Sequence, residues 1–212
     1  MRTHIYAFGS ICRGDVSPGS DVDLLALVEE YEPRFDPDTY SIYSYKRIGE
    51  IWEEGNPFAW HLSLEAKLIF SSDNFDPLKL LGTPGPYRNC ARDCDKFRSL
   101  FFDARKSLER AHTSKIFDLT TVFLGIRNLA TCFSLGVLRQ PDFSRHSALR
   151  LGERSLSIPR QSYEVLERSR ILCTRGYGAK VSDEEVELAS ANFSLIEQWM
   201  TTLVQEAQHH AA

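Results

Sequence analysis

Two acids spaced two apart, Asp21 and Asp23, are the sharpest chemical feature of this chain. They open the run Asp21-Val22-Asp23-Leu24-Leu25-Ala26-Leu27-Val28, whose apolar content predicts a strand. On a strand, residues two apart project from one face, so both carboxylates point the same way. Two hard oxygen ligands side by side suit Mg²⁺ when its other ligands are phosphate and water. A metal held in that way neutralises charge at a phosphorus centre and activates an attacking hydroxyl. Upstream, Gly9-Ser10 follows the β-prone stretch His4-Ile5-Tyr6-Ala7-Phe8. Glycine lets the backbone approach a triphosphate closely, and the Ser10 hydroxyl can donate to a phosphate oxygen. A helix starting there would aim its free N–H groups at the same anion. Gly19-Ser20 then turns the chain into the second strand. An Asp-x-Asp by itself is mostly chance. Ten residues between Ser10 and Asp21, a strand before and an apolar run after make it a signal.

The elements that must position these groups follow from period and punctuation. Residues 4–8 predict a first strand, 11–15 the start of a short helix, and Val16 to Ser20 a loop. Asp21–Val28 is the second strand and the Tyr-rich Thr39–Tyr45 a third. Ile48–Glu54 and Phe58–Ala66 have helical spacing, and Lys67–Phe70 predicts one more short strand. Residues 71–87, ending in Gly82-Thr83-Pro84-Gly85-Pro86, carry the strongest linker signal. Beyond them the period becomes helical. Arg92–Ala111 is amphipathic, Ile116–Leu138 is long and apolar, and Pro159–Cys173 and Asp183–Gln208 complete a bundle. Ser182-Asp183-Glu184-Glu185 is a good helix start, because acids suit its positive end. The expectation is an α+β chain: a small mixed-sheet domain over residues 1–86, then an all-α helical domain over 87–212.

The stretch from Gly9-Ser10 to Asp21-Val22-Asp23-Leu24-Leu25, with Arg13-Gly14 inside it, resembles the signature of the DNA polymerase beta-like nucleotidyltransferases. Asn56-Pro57-Phe58-Ala59-Trp60-His61 through Leu68-Ile69-Phe70 looks like the closing helix and strand of the minimal bacterial members. The helical half is similar to the HEPN-like partner domain of kanamycin-nucleotidyltransferase-like proteins. The resemblance implies Mg²⁺-dependent transfer of a nucleotide from an NTP or dNTP to a hydroxyl. It implies a catalytic metal role for Asp21 and Asp23, and nucleotide contacts for Gly9, Ser10 and Arg13. The family often carries a third carboxylate on the next strand, and Thr39 to Tyr45 has no acid. Glu65 is the first substitute to weigh and Asp38 the second. A missing third acid would instead suit a weakly catalytic NTP-binding module.

Other signals bear on the acceptor. Arg127-Asn128 interrupts the most apolar helix, so Arg127 is expected either to reach a triphosphate or acceptor or to pair internally with an acid such as Asp118 or Asp95. Tyr163 and Tyr177 offer hydroxyls as nucleotide acceptors, against the plainer reading of packed tyrosines. Arg139 and His146 fit the R-x4–6-H spacing of HEPN ribonucleases, although Pro141 breaks any helix between them. Arg145, Arg150, Arg154, Arg170 and Arg175 could line a groove for a polyanionic product or form an ordinary solvated face. The two-part layout is somewhat similar to the nucleotidyltransferase of the Hailong anti-phage system. That likeness implies an oligonucleotide product and a membrane effector as partners. Adenylylation of a HEPN toxin by an antitoxin and modification of an antibiotic are the other settings, and a homo-oligomer is compatible with each.

Composition bounds these readings. The formal net charge is −4, so long-range attraction to a polynucleotide is not written into the totals. Five scattered cysteines do not read as a disulfide framework, and Cys90-x3-Cys94 lacks a second pair for zinc. No signal peptide is read at the start, and Arg127 argues against a spanning helix, so a cytoplasmic protein without membrane insertion is expected.

Overall fold

The computed structural model describes residues 2–16, 22–30, 32–110 and 114–211. The chain divides into two compact units, Met1–Arg88 and Asn89–Ala212. The first contains β1 (Thr3–Phe8), α1 (Ser10–Arg13), β2 (Asp23–Val28), β3 (Tyr40–Ser44), α2 (Tyr45–Glu53), α3 (Pro57–Glu65), β4 (Lys67–Ser71) and α4 (Pro77–Leu81). Its four strands lie in the order β3-β2-β1-β4. β1 runs antiparallel to both β2 and β4, while β3 runs parallel to β2. This is the mixed sheet expected from the sequence.

Alternation along the strands builds two apolar layers. Tyr6, Phe8, Leu25 and Leu27 face α2 and α3, where they pack with Ile48, Ile51, Trp52, Ala59 and Leu62. Ala26 and Val28 face the other way, against Phe35 and the half-buried Ile5, Tyr40 and Ile42. Local chemistry starts the helices. Ser44 Oγ accepts from the Arg47 N–H at the head of α2, and Asn56 Oδ1 accepts from the Phe58 N–H at the head of α3, just before Pro57.

The Gly/Pro-rich stretch expected as a linker is packed onto the first unit. It includes α4, capped by Asp76, whose carboxylate also accepts from the buried Tyr6 hydroxyl at 2.7 Å. The indole N–H groups of Trp52 and Trp60 donate to the carbonyls of Gly82 (3.0 Å) and Gly85 (3.1 Å). The Gly85 N–H returns to the Trp52 carbonyl at 2.8 Å. A buried indole needs an acceptor, and the strap supplies it. At the opposite corner, His4 is fully buried, with Nδ1 2.6 Å from the Tyr45 hydroxyl and Nε2 2.8 Å from Asp73 Oδ1. Arg2 Nε donates to Asp73 Oδ2 at 2.7 Å.

The second unit is helical: α5 (Cys90–Arg110), α6 (Lys115–Gly136), α7 (Arg160–Arg175), α8 (Asp183–Ser190) and α9 (Phe193–Ala211), with short 3-10 turns at Ser147–Leu149 and Gly152–Arg154. No strand lies beyond residue 90 among the described residues. α6 packs against α5, α7 and α9. It is long and apolar enough to cross a membrane despite Arg127, and 67% of its most apolar window is buried inside this fold. The single helix expected over Asp183–Gln208 is two helices. The Asn192 side chain donates to Leu188 O and to Ser162 Oγ, both at 3.0 Å, and breaks the chain there. A polar side chain serving one local carbonyl and one distant hydroxyl outweighs the helical period around it.

Two predictions follow from these contacts. A Cβ at Gly55, whose φ is +65°, would lie 2.3 Å from the Gly85 carbonyl oxygen, and one at Gly85 would lie 2.4 Å from that of Glu53. Gly55→Ala should lower the unfolding free energy of the full chain by roughly 2–4 kcal/mol, from overpacking plus a left-handed backbone. An unchanged urea midpoint would show that the strap is loose. The second prediction concerns acid. Burial alone would raise the Asp73 carboxyl, but the Phe75 N–H, His4 and Arg2 hold it lower, at about 2. A depressed folded value stabilises above the unfolded value and loses that contribution as pH falls, here from about 4 to about 2. Asp73→Asn should flatten the pH dependence of stability in that window, and an unchanged acid slope would refute the assignment.

Candidate active site

The end of β1 meets the beginning of β2. Phe8 and Asp23 are paired across the ladder, so the residue after Phe8 lies beside the Asp23 side chain. That residue is Gly9, with φ 76° and ψ −147°, a conformation essentially reserved for glycine. A Cβ built there would stand 2.2 Å from Asp23 Oδ2 and 3.1 Å from its Cγ. The carboxylate therefore occupies the space that any side chain at position 9 would need.

Ser10 opens the single turn of α1, in which the Gly9 carbonyl accepts from the N–H groups of Cys12 (3.1 Å) and Arg13 (3.3 Å). Gly14, with φ 77°, ends it in the left-handed region. The first N–H groups of a helix have no partner within it, so this turn presents donors beside the Asp23 carboxylate. Ser17 to Ser20 of the expected loop, and Asp21, the expected first residue of the second strand, lie outside the described residues. Asp23 opens β2 and shares the face of Leu25 and Leu27.

As the sequence already indicated, β3 carries no acid. Ser41 pairs with Leu25 and Tyr43 with Leu27, so the β3 side chains on Asp23's face are a serine and a tyrosine. A cavity of about 350 Å³ nevertheless brings an acid close. It is lined by Asp23, Asp38 and Ser41, with Val22, Pro37 and Tyr40 around them. Asp38 comes from the loop that leads into β3. Glu65 ends α3, where its Oε2 accepts from Arg13 Nη1 and lies 2.9 Å from His61 Nε2. Cys12 reports on both carboxylates. Its thiol is pushed up first by burial and then by the charges of Glu65 and Asp23, against Lys67 and Arg13. Sequence reasoning singled out Glu65 but gave His61 no role. The four-residue spacing of His61 and Glu65 on a helix was the available signal.

In the second unit, Arg127 donates through Nε to the Ser144 carbonyl at 3.4 Å, through Nη2 to that of Phe143, and through Nη1 to Asn128 Oδ1 at 2.9 Å. Its guanidinium fastens the loop between α6 and α7 to α6. Tyr163 is 2% exposed and donates its hydroxyl to the Arg145 carbonyl at 2.7 Å. Burial pushes that hydroxyl far above its ordinary value. Tyr177 is 53% exposed. Arg139 takes a left-handed φ of 56°, and His146 Nε2 sits 3.3 Å from Glu167. Among the described residues, no three His, Cys, Asp or Glu side chains form a metal-binding group.

Comparison with known proteins adds two findings. Residues 2–80 match the nucleotidyltransferase domain family. The fold is similar to that of a spectinomycin adenyltransferase from Enterococcus faecialis, solved with ATP and spectinomycin. That similarity has a TM-score of 0.51 at 12% identity and covers 94% of this chain and 92% of the other. No curated protein matches the sequence.

The contact between position 9 and Asp23 can be tested through stability. Gly9→Ala should cost about 2–4 kcal/mol, from backbone strain and the collision with Asp23. Adding Asp23→Ala removes the collision and should recover part of that loss, leaving roughly 1–3 kcal/mol of strain. Additive effects in this double-mutant cycle, read by urea unfolding, would mean that the two side chains do not meet.

Proposed function

Residues 2–80 form a nucleotidyltransferase domain, and from that premise we propose that the chain moves a nucleotide from an NTP or dNTP to an acceptor hydroxyl, with Mg²⁺ held by Asp21 and Asp23. The observation that carries this reading is the Asp23 carboxylate set into the space left by the missing Cβ of Gly9. A metal site fits there. Asp23 is half-buried at the strand end, offers hard oxygens and borders an open cavity, while Asp21, the second ligand that the resemblance implies, lies outside the described residues.

The roles then divide as follows. The N–H groups at the start of α1 and the Ser10 hydroxyl receive phosphate oxygens, and Arg13 adds positive charge. Asp21 and Asp23 would hold Mg²⁺, which when bound would supply charge neutralisation at the α-phosphorus and acidify the acceptor hydroxyl. The acceptor oxygen bonds to the α-phosphorus, the bond to the bridging oxygen breaks, and pyrophosphate leaves with that electron pair. Asp38, which lines the cavity with Asp23, takes the hydroxyl proton and fills the part of the missing strand carboxylate.

For the acceptor, we favour a nucleotide, an oligonucleotide or a protein tyrosine, in bacterial anti-phage signalling. The two-part layout supports that setting. Of the two tyrosines weighed as acceptors, exposure favours Tyr177 over Tyr163. A second reading is adenylylation of a small hydroxylated molecule. The fold match over nearly the whole length of a drug adenyltransferase favours it.

The deciding experiment incubates the full chain with each labelled NTP and dNTP plus Mg²⁺, followed by intact-mass and product analysis. Label is expected in an oligonucleotide or on protein, and its transfer should fall at least about 10²-fold in Asp21→Asn and in Asp23→Asn. Label on an added hydroxylated small molecule, or on a HEPN partner protein, would select those acceptors instead. Release of NMP alone would make water the acceptor. Wild-type turnover by the Asp21→Asn/Asp23→Asn variant would overturn the proposal.

A further inference from the structure

Glu65 and His61, which have no part in the proposed transfer, form a cluster with Arg13, which has one. α1 has only four residues, too few to hold a helical turn without outside support. Glu65 is the last residue of α3, where a carboxylate meets the negative end of the helix, and its side chain is only 12% exposed. A charge so placed must be compensated locally. Both compensating groups converge on one oxygen. Glu65 Oε2 accepts from Arg13 Nη1, an ion pair, and from the His61 ring 2.9 Å away. All three side chains are largely enclosed, with Arg13 22% and His61 13% exposed.

The cluster is tied to the site from both sides. Arg13 lies four positions after Gly9, and its Nε also reaches Asp15 Oδ2 at 3.3 Å, just past the Gly14 turn. The His61 ring stands edge-on to Phe8 with centroids 5.5 Å apart. Phe8 is the ladder partner of Asp23 and immediately precedes Gly9. α3 therefore grips the Gly9–Gly14 turn at its start through His61 and Phe8, and at its end through Glu65 and Arg13.

We infer that Glu65 is a positioning residue which, with His61, fixes Arg13 and through it the nucleotide-binding turn, and that it is not a metal ligand. The inference rests on the proposed function of the site. It has consequences that a ligand role lacks. Loss of the Glu65 charge frees the Arg13 side chain and loosens the turn, so nucleotide binding suffers while the Asp23 carboxylate stays in place. Arg13 and Glu65 also act as one unit, so removing both costs little more than removing one.

The test compares wild type, Asp23→Asn, Glu65→Gln, Arg13→Met and the Arg13→Met/Glu65→Gln double variant, all as full chains. ATP affinity is measured by calorimetry in Mg²⁺, transfer is followed against ATP and Mg²⁺ concentration, and unfolding temperature is recorded. Glu65→Gln should raise the ATP Kd and KM about tenfold, with kcat changed by less than about threefold. Its half-saturating Mg²⁺ concentration should match wild type, and the double variant should bind ATP about as well as the weaker single. A raised Mg²⁺ requirement with kcat lost at unchanged KM would make Glu65 a ligand and overturn the inference. Additive losses in the double variant would overturn it too, as would unchanged ATP affinity in Glu65→Gln. If Glu65→Gln does not fold, Glu65→Asp is read in its place, and its shorter reach to Arg13 should give the same rise in KM. If wild type itself neither binds nor transfers ATP or any other NTP, the functional reading falls and this inference with it. An active wild type, silenced by Asp23→Asn but indifferent to Glu65→Gln, would remove this inference alone.

Discussion

The first unit is organised around an absent atom. Where β1 ends, the Asp23 carboxylate fills the volume that a Cβ on Gly9 would take, and the backbone of Gly9 adopts angles that other residues avoid. Everything nearby depends on this approach. The turn into α1 can pass beside the carboxylate only because nothing projects from position 9. The register of β1 on β2 must also be held, since Phe8 opposite Asp23 is what brings Gly9 alongside. A slip of one residue would move Asp23 to the opposite face and carry Leu25 and Leu27 out of the core with it. The apolar layer of Leu25, Leu27, Ile48, Ile51 and Leu62 is thus the force that holds the acid in place. Hydrophobic burial, which has no directional preference of its own, acquires one here from the two-residue period of the strand.

The same logic explains how acids are distributed around the site. A carboxylate at the end of a sheet, bordering an open cavity, keeps access to water or a cation. One at the closed C-terminal end of a helix does not. Asp23 and Asp38 line the cavity, while Glu65 is enclosed by Arg13 and His61. β3, the strand on which the family often carries a third acid, presents Ser41 and Tyr43 on that face instead. Position along the strand and position around the cavity are different criteria, and here they select different residues.

What the sequence made legible was periodic. Strands with strict alternation, the Gly-Ser turn, the long α6 and the two-part order follow from spacings of two and of three to four. What it hid was set by partners distant in the chain. The Gly82–Pro86 stretch has the composition of a loose linker, yet the indole N–H groups of Trp52 and Trp60 bind its carbonyls, and no local pattern announces that pairing. The break between α8 and α9 sits inside a good helical period and comes from Asn192 reaching Ser162, thirty positions away. Within the site, Asp38 looked like a solvated loop acid, because only the parallel pairing of β3 with β2 brings its loop to Asp23. His61 drew no notice as a functional group for a similar reason. Its partner Glu65 is local, but the Arg13 that completes the cluster comes from 52 residues earlier in the chain.

The helical unit poses the remaining question, how a chain of net negative charge would handle a polyanionic product. Its arginines were the material for a basic groove, and several prove to be paired. Arg154 grips Glu206, Arg160 meets Glu164, and Arg105 binds Glu197. Such pairs at the surface contribute little to stability, so a phosphate could exchange for the carboxylate at small cost. Arg145 is different. It and His146 hold the partly buried Glu167, which burial would push up but which these two partners bring below its ordinary value. Removing Arg145 takes the fixed positive charge from a carboxylate that is only 17% exposed, so Arg145 is committed to the fold. Arg127, fastened to the carbonyls of Phe143 and Ser144, is committed in the same way. The cations that could serve a product at low cost are therefore exposed ones held by a single local pair, such as Arg160. The half-buried Arg127, which stands out most in the sequence, holds one loop.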